Sequence, residues 1–151
     1  MEKKYSNEMP QKAREVKNGF VLSYQIQETP MDEIENLWKL RPTNGETSPS
    51  ESFKNEHKYM YNVVRVPMGR WNYNGIVEVI IRDKYTADEM EAITNNMAAI
   101  NAVFMQTLVK SGIVEATRFL RESADAVDAE TFREMQEWRA MAKKEAKGIF
   151  G

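Results

Sequence analysis

The sequence predicts an α+β fold, a small antiparallel sheet of about three strands with a hairpin, packed by a long helix and one or two further C-terminal helices. Short runs with period-two alternation or β-branched residues occupy the first half of the chain, which is typical of strands. The second half carries apolar residues at spacings of three and four, which is typical of helices. No repeat or linker divides it, so we expect a polar N-terminal arm over residues 1–18 and a single α+β domain over residues 19–151.

Composition bounds the class of protein. The 151 residues are 42% hydrophobic and 29% charged, and the net charge of −2 gives no reason to expect nucleic acid or an anionic membrane as a partner. The absence of cysteine excludes disulfides, thiolate metal sites and thiol catalysis. The most apolar stretch, Met97 to Val109, is shorter than a membrane span and is interrupted by Asn101 and Gln106. We therefore expect no membrane partner and a cytoplasmic location at synthesis.

The first elements follow in order from the N-terminus. Residues 1–18 are polar without periodicity, which fits either a solvated tail or an arm that becomes ordered on a neighbouring subunit. The stretch GFVLSYQIQE alternates apolar and polar residues and predicts a strand. Thr29 and Pro30 favour a helix start, and Pro42 ends that helix. Residues 42–57 are rich in Pro, Ser, Asn, Gly and Glu and predict a long polar loop.

Two further strands are predicted at 59–66 and 75–83, because both runs are rich in β-branched and aromatic residues. Asn74-Gly75 favours a hairpin turn, since a type I′ turn needs positive φ at both central residues. A reversal over 67–70, with Pro67 and Gly69, is the competing interpretation. In either case the aromatic residues between these turns lie near the end of a hairpin.

The C-terminal half predicts a long helix followed by one or two others. Thr86 and Glu89 form a capping box, and Gly112 supplies a stop or a kink. Between them the helix is apolar on nearly all sides, so it must be covered on more than one side, either by the sheet and a second helix or by the sheet and another subunit. A last helix is predicted from Asp128 to Gly148.

Few residues here suggest chemistry. His57 is the only histidine, and it falls in the polar loop, where a surface position is expected. The acidic residues sit mainly at helix starts and on polar faces, and no glycine-rich phosphate loop precedes a helix. We predict no catalytic residue, no cofactor and no metal site, and therefore a protein that is not an enzyme.

Two groups of residues are instead candidates for protein contacts. Trp, Tyr and Arg are enriched in interface hot spots, and methionine provides adaptable contact surface. The first group lies at the predicted hairpin end and comprises Met68, Arg70, Trp71 and Tyr73. The second group lies at the C-terminal end of the last helix and comprises Arg139, Lys143, Lys144 and Lys147. The first can equally cap the core, and the second can equally complement the helix dipole.

Two stretches, RDKYTADEMEAITNN and FREMQEWRAMAKKEAKGIF, resemble small virion and assembly proteins of tailed bacteriophages of the crAss-like group. This resemblance implies a non-enzymatic subunit of a head–tail or tail assembly, located in the virion. The main hypothesis is thus a structural protein whose partners are itself, other proteins of an assembly, or both. The alternatives are a small-molecule-binding or enzymatic α+β domain and a regulatory nucleic-acid-binding protein.

Overall fold

A computed structural model describes residues 1–41, 48–122 and 125–150 and confirms the α+β class. The described residues form one four-stranded antiparallel sheet and five α-helices. The strands are β1 (Glu2–Ser6), β2 (Ala13–Val16), β3 (Gly19–Glu28) and β4 (Tyr59–Pro67). The helices are α1 (Met31–Lys39), α2 (Glu51–Glu56), α3 (Tyr73–Lys84), α4 (Ala87–Glu122) and α5 (Asp125–Phe150).

The sheet has the strand order β1-β4-β3-β2, with the two most apolar strands in the middle. β3 and β4 run antiparallel from Gly19↔Pro67 to Glu28↔Tyr59, and a bulge interrupts their pairing between Tyr24 and Gln27. Gln25 lies in that bulge and has a φ of 52°. One face of the central pair forms the apolar core of this region and holds its fully buried side chains. They include Leu22, Tyr24 and Val66.

Residues 1–18, predicted to be a polar arm, contain both outer strands. β1 pairs with β4 in the register Glu2↔Val63 to Ser6↔Tyr59, and β2 pairs with β3 from Ala13↔Leu22 to Val16↔Gly19. These residues carry no strand signal because an edge strand is held mainly by backbone hydrogen bonds and can carry polar side chains. The hairpin between β2 and β3 turns at Asn18, whose φ is 64°.

Two predictions before β4 can be compared with the structure. A helix after Thr29 is confirmed as α1, with Asp32 and Glu33 in its first turn. Its predicted start is off by one residue, because Pro30 is the N-cap residue and no side chain caps the helix. In the predicted polar loop at 42–57, residues 51–56 form α2, whose start is capped by Ser50 Oγ accepting from Phe53 N at 3.2 Å. Residues 42–47 lie outside the described residues.

The strand predicted at 75–83 is wrong, because this segment is helix α3. β4 ends at Pro67, a 3₁₀ turn follows, and Asn72 Oδ1 accepts from Gly75 N at 2.8 Å, as an N-cap residue does. Asn74-Gly75 is therefore the first turn of a helix, and no hairpin forms there or at 67–70. The β-branched run is helical because Ile76 and Ile80, four residues apart, are both fully buried, and burial outweighs strand propensity.

The predictions for the C-terminal half are confirmed at two points. Thr86 and Glu89 form the reciprocal capping box, with hydrogen bonds of 3.0 and 3.1 Å. Gly112 interrupts α4 with a φ of 85° and a ψ of 176°, which is the predicted kink. The last helix begins earlier than predicted and does not end at Gly148, since α5 continues to Phe150.

The chain divides into two compact units. The first contains Met1–Val79 together with the residues from Glu145 onward, and so holds the sheet, α1 and α2. The second contains Ile80–Lys144 and so holds α4 and most of α5. Within the second unit the indole N–H of Trp138 donates to the backbone oxygen of Ile80 at 3.0 Å.

Candidate protein-contact surfaces

Trp71, a predicted contact residue, is engaged by rings of its own chain. Its indole stacks on Phe20 of β3 with a centroid distance of 4.0 Å and an interplanar angle of 20°. The ring of Phe150 meets it edge-on at 5.8 Å. Trp71 is consequently half-buried, and both of its aromatic neighbours lie in the first unit. This geometry is that of a brace between the sheet and the C-terminus.

The other three residues of that group differ in their surroundings. Arg70 forms an ion pair with Glu78 at 2.5 Å, which links the 3₁₀ turn to α3. Both side chains are substantially exposed, so solvent screens the pair and its stabilising effect is small. Met68 and Tyr73 are exposed by 52% and 41% and remain predicted contact residues.

The basic group lies on the last turns of α5. Arg139 is half-buried, whereas Lys143, Lys144 and Lys147 are exposed. Positive charge at this end complements the helix dipole, and it also suits an acidic surface on a neighbour. Both interpretations of the group stay predictions.

The most exposed apolar surface is on α4, and the sequence prediction did not select it for contacts. Five large apolar residues of this helix are exposed: Val103, Met105, Val109, Ile113 and Val114. Val109 is 83% exposed and Val114 is 73% exposed. Valine side chains this exposed add little to the stability of a single chain, whereas exposed apolar patches are typical of interaction sites. By contrast, a second stripe of the same helix is buried or half-buried and comprises Met90, Ile93, Met97, Ile100, Phe104 and Leu108.

The signal for this surface was present in the sequence as a second apolar series. Ala98, Ala102, Met105 and Val109 follow one another by four, three and four residues, so they share one side of the helix. All four are exposed. We call this side, with the flanking Val103, the outer face of α4. The sequence predicts that α4 is covered on more than one side. The candidate contact residues nevertheless lie elsewhere, because they were selected mainly as aromatic and basic types.

By length and composition, α4 is long and apolar enough over Ala87–Phe119 to cross a membrane. Eighteen consecutive residues there have a mean hydropathy of 1.4, and only 6% of them are buried. The apolar run nevertheless contains Asn101 and Gln106, and the backbone departs from helical geometry at Gly112. Amide side chains and a broken backbone are costly in hydrocarbon when they find no hydrogen-bond partner.

An aromatic cluster at the edge of the sheet surrounds the single histidine. His57 stacks on Phe53 at 4.2 Å and lies 5.3 Å from the ring of Tyr5. Its Nδ1 is 2.8 Å from the backbone oxygen of Phe53. Burial, the hydrogen bond that the Tyr5 hydroxyl donates to Glu33 at 2.7 Å, and the charge of that carboxylate raise the pKa of Tyr5 to about 12. His57 is half-buried and belongs to a structural contact between β1 and α2.

The cluster continues to α1. Phe53 meets Trp38 edge-on at 5.0 Å, and the guanidinium of Arg41 lies 3.2 Å from the centroid of the Trp38 ring. Because Trp38 is buried, its ring is shielded from water, which strengthens this cation–π contact. The cluster thereby holds α1 and α2 together beside the sheet.

Several cavities lie in the described part of the first unit. One, of about 340 Å³, lies against the sheet and has Lys4, Arg14, Ser23 and Tyr61 but no carboxylate in its described lining. Another, of about 260 Å³, lies beside α1 and has Glu35 and Lys39 in its lining. Among the described residues, no group of three or more His, Asp or Glu side chains is placed to hold a metal ion.

Comparison with known proteins adds no relative. No protein-family model, no curated protein and no solved structure matches the chain. Among the surfaces described above, the outer face of α4 combines the highest exposure with the most apolar chemistry.

Proposed function

We propose that this protein is a non-enzymatic assembly subunit that acts through protein–protein contacts in an oligomer, with the outer face of α4 as its principal contact. One observation supports this most strongly. Along α4 the chain exposes large apolar side chains at helical spacing, up to 83% for Val109. Contiguous apolar surface of this kind on a folded protein marks an interaction site.

The energetic argument follows from burial. Covering a valine, isoleucine or methionine side chain contributes about 1.5–3 kcal/mol. Several such residues on one helix are enough to offset part of the rotational and translational entropy lost on association. Catalysis would instead need convergent acid, base or nucleophile groups, and the cavity against the sheet has Lys4, Ser23 and Tyr61 in its described lining but no carboxylate to pair with them.

The setting of this assembly is proposed from the sequence resemblance. One of the two stretches that resemble tailed-phage virion proteins, 82–96, leads into the outer face of α4, and the other, 132–150, lies in α5. We therefore propose a head–tail or tail subunit that is made in the cytoplasm and incorporated into the virion. Purified virions analysed by mass spectrometry would contain this chain if the setting is right and lack it if the setting is wrong.

The contact itself is tested by measuring molar mass in solution. We expect the wild-type chain to be oligomeric and Val109→Lys to be monomeric, because a charge on the outer face would be buried without a partner. Val127→Lys is the matched control, since Val127 is also exposed, by 69%, but lies on α5. A wild-type chain that is monomeric at the highest attainable concentration contradicts the proposal, as does a control that dissociates as readily as Val109→Lys.

A further inference from the structure

We propose that the outer face of α4 is occupied by a second copy of this chain, and that the two helices pair antiparallel. This inference rests on the proposed function and specifies its partner and geometry. It is carried by three features of α4: the spacing of the exposed residues, the charges at the two ends of the uncharged run, and the order of small and large side chains along the face.

The spacing is that of a two-helix seam. Asn95, Ala98, Ala102, Met105 and Val109 are separated by three, four, three and four residues, an average of 3.5. This is the repeat with which one helix keeps a continuous line of contact along another. All five residues are exposed, and all five precede the break at Gly112. The seam is therefore available over an uninterrupted helical stretch.

The charges favour one orientation of the partner. Residues 92–109 contain no charged side chain, and the run is bounded by Glu91 at one end and Lys110 at the other. Both bounding residues are exposed. In a parallel pair, Glu91 would lie beside the partner's Glu91 and Lys110 beside the partner's Lys110. In an antiparallel pair each glutamate meets a lysine, and the two-fold symmetry makes that contact twice.

The antiparallel arrangement also sets a register. Placing Glu91 near the partner's Lys110 centres the pair close to residue 100, so that Ala98 faces the partner's Ala102. Small residues at the centre allow the two helices to approach closely. Met105 then faces the partner's Asn95, which puts a long side chain opposite a short one. The same register leaves Val109 beside the aliphatic part of the partner's Glu91.

Engineered disulfides test this register directly, since the chain has no cysteine of its own. Asn95→Cys and Met105→Cys are prepared separately, oxidised alone and as a mixture, and run without reductant. Residues 95 and 105 are ten apart, about 15 Å along the helix, so each variant alone should not cross-link in the antiparallel pair. The mixture should give a covalent dimer. Asn96→Cys mixed with Met105→Cys is the matched control, because Asn96 is exposed but lies off the seam.

The outcomes separate this inference from the proposed function. Cross-linking only in the mixture of Asn95→Cys and Met105→Cys supports the antiparallel pair. Cross-linking of Asn95→Cys with itself shows a parallel pair and overturns the inference while leaving the assembly subunit intact. An oligomeric wild type in which no seam pair cross-links also overturns it. A wild type that is monomeric and floats with phosphatidylcholine–phosphatidylglycerol vesicles overturns both, since α4 then contacts lipid.

Discussion

The segment around Trp71 and the outer face of α4 are both apolar, yet they differ in what covers them. Trp71 has Phe20 stacked on it at 4.0 Å and Phe150 edge-on at 5.8 Å, both from its own chain. Val109, on the outer face of α4, is 83% exposed. An aromatic type enriched in interfaces has thus been used internally, whereas plain aliphatic residues form the open surface. In the proposed function the contact lies at periodic apolar residues on a second side of a helix rather than at the residue types most enriched in interfaces.

The largest effect on stability is expected from removing the side chain of Trp71, the covered residue in this comparison. Trp71→Ala deletes a ring that two aromatic residues contact, and we expect the free energy of unfolding to fall by about 3 kcal/mol. Denaturant titration measures this change. Oligomeric mass, measured under native conditions, should stay that of the wild type. Loss of assembly with unchanged stability would show instead that Trp71 is a contact residue.

A slightly smaller effect is expected at the turn that places Trp71. A Cβ at Gly75 would lie 2.0 Å from the backbone oxygen of Arg70, so the start of α3 must shift. We expect Gly75→Ala to lower the free energy of unfolding by about 2 kcal/mol. Gly69→Ala is the control in the same turn, because a Cβ there meets nothing within 4 Å. Equal effects of the two substitutions would contradict the packing at Gly75.

Exchanging charges on α4 sharpens the other half of the comparison. Glu91→Lys or Lys110→Glu alone places like charges together in an antiparallel pair, and we expect association to weaken about threefold. The double variant restores opposite charges and should recover the wild-type dissociation constant, measured by sedimentation. In a parallel pair, like charges already meet in the wild type. The dissociation constant of the double variant would then be no closer to the wild-type value than that of either single variant.

The smallest effect is on the pH dependence of stability and concerns Tyr5 in β1, which is packed within its own chain. The pKa of Tyr5 is about 12 in the folded chain against 10.0 for the free side chain, so the folded state holds this proton more tightly. The resulting stabilisation is complete below about pH 10 and is lost as the pH rises toward 12. We expect the wild type to lose more stability than Tyr5→Phe over that interval, measured by denaturant titration. Parallel loss in both proteins would contradict the role of the Glu33 hydrogen bond.

Two of the chain's three Asn-Gly pairs show how far local sequence predicts this fold. In the first pair, Asn18 lies in the turn between β2 and β3, and Gly19 begins β3 opposite Val16. A Cβ at Gly19 would lie 2.4 Å from the backbone oxygen of Val66. Asn74-Gly75 has the same letters but begins a helix, because Asn72 caps it. In both pairs the glycine lies close to another backbone segment, so a larger residue would not fit. The two letters alone do not distinguish a hairpin turn from a helix start; the tertiary contacts around each pair do.

Other parts of the molecule were more predictable. The capping box at Thr86 and the kink at Gly112 are local, and both are confirmed. The two outer strands were not predicted, because β1 and β2 are held by pairing with distant residues rather than by their own apolar pattern. The apolar periodicity of the outer face of α4 is visible in the sequence. Whether other residues of the same chain cover this face depends on the whole fold.

The most direct test compares two methionines of equal exposure in one molecule. Met68, in the segment around Trp71, is 52% exposed, and Met105, on the outer face of α4, is 54% exposed. Peroxide oxidation rates are measured for both by mass spectrometry as the protein concentration is raised. Because the proposed contact lies on α4 and not on the segment around Trp71, we expect Met105 to become protected as the oligomer forms while Met68 stays reactive. Met105 reacting as fast as Met68 at every concentration, or protection of Met68 alone, would contradict assembly through α4.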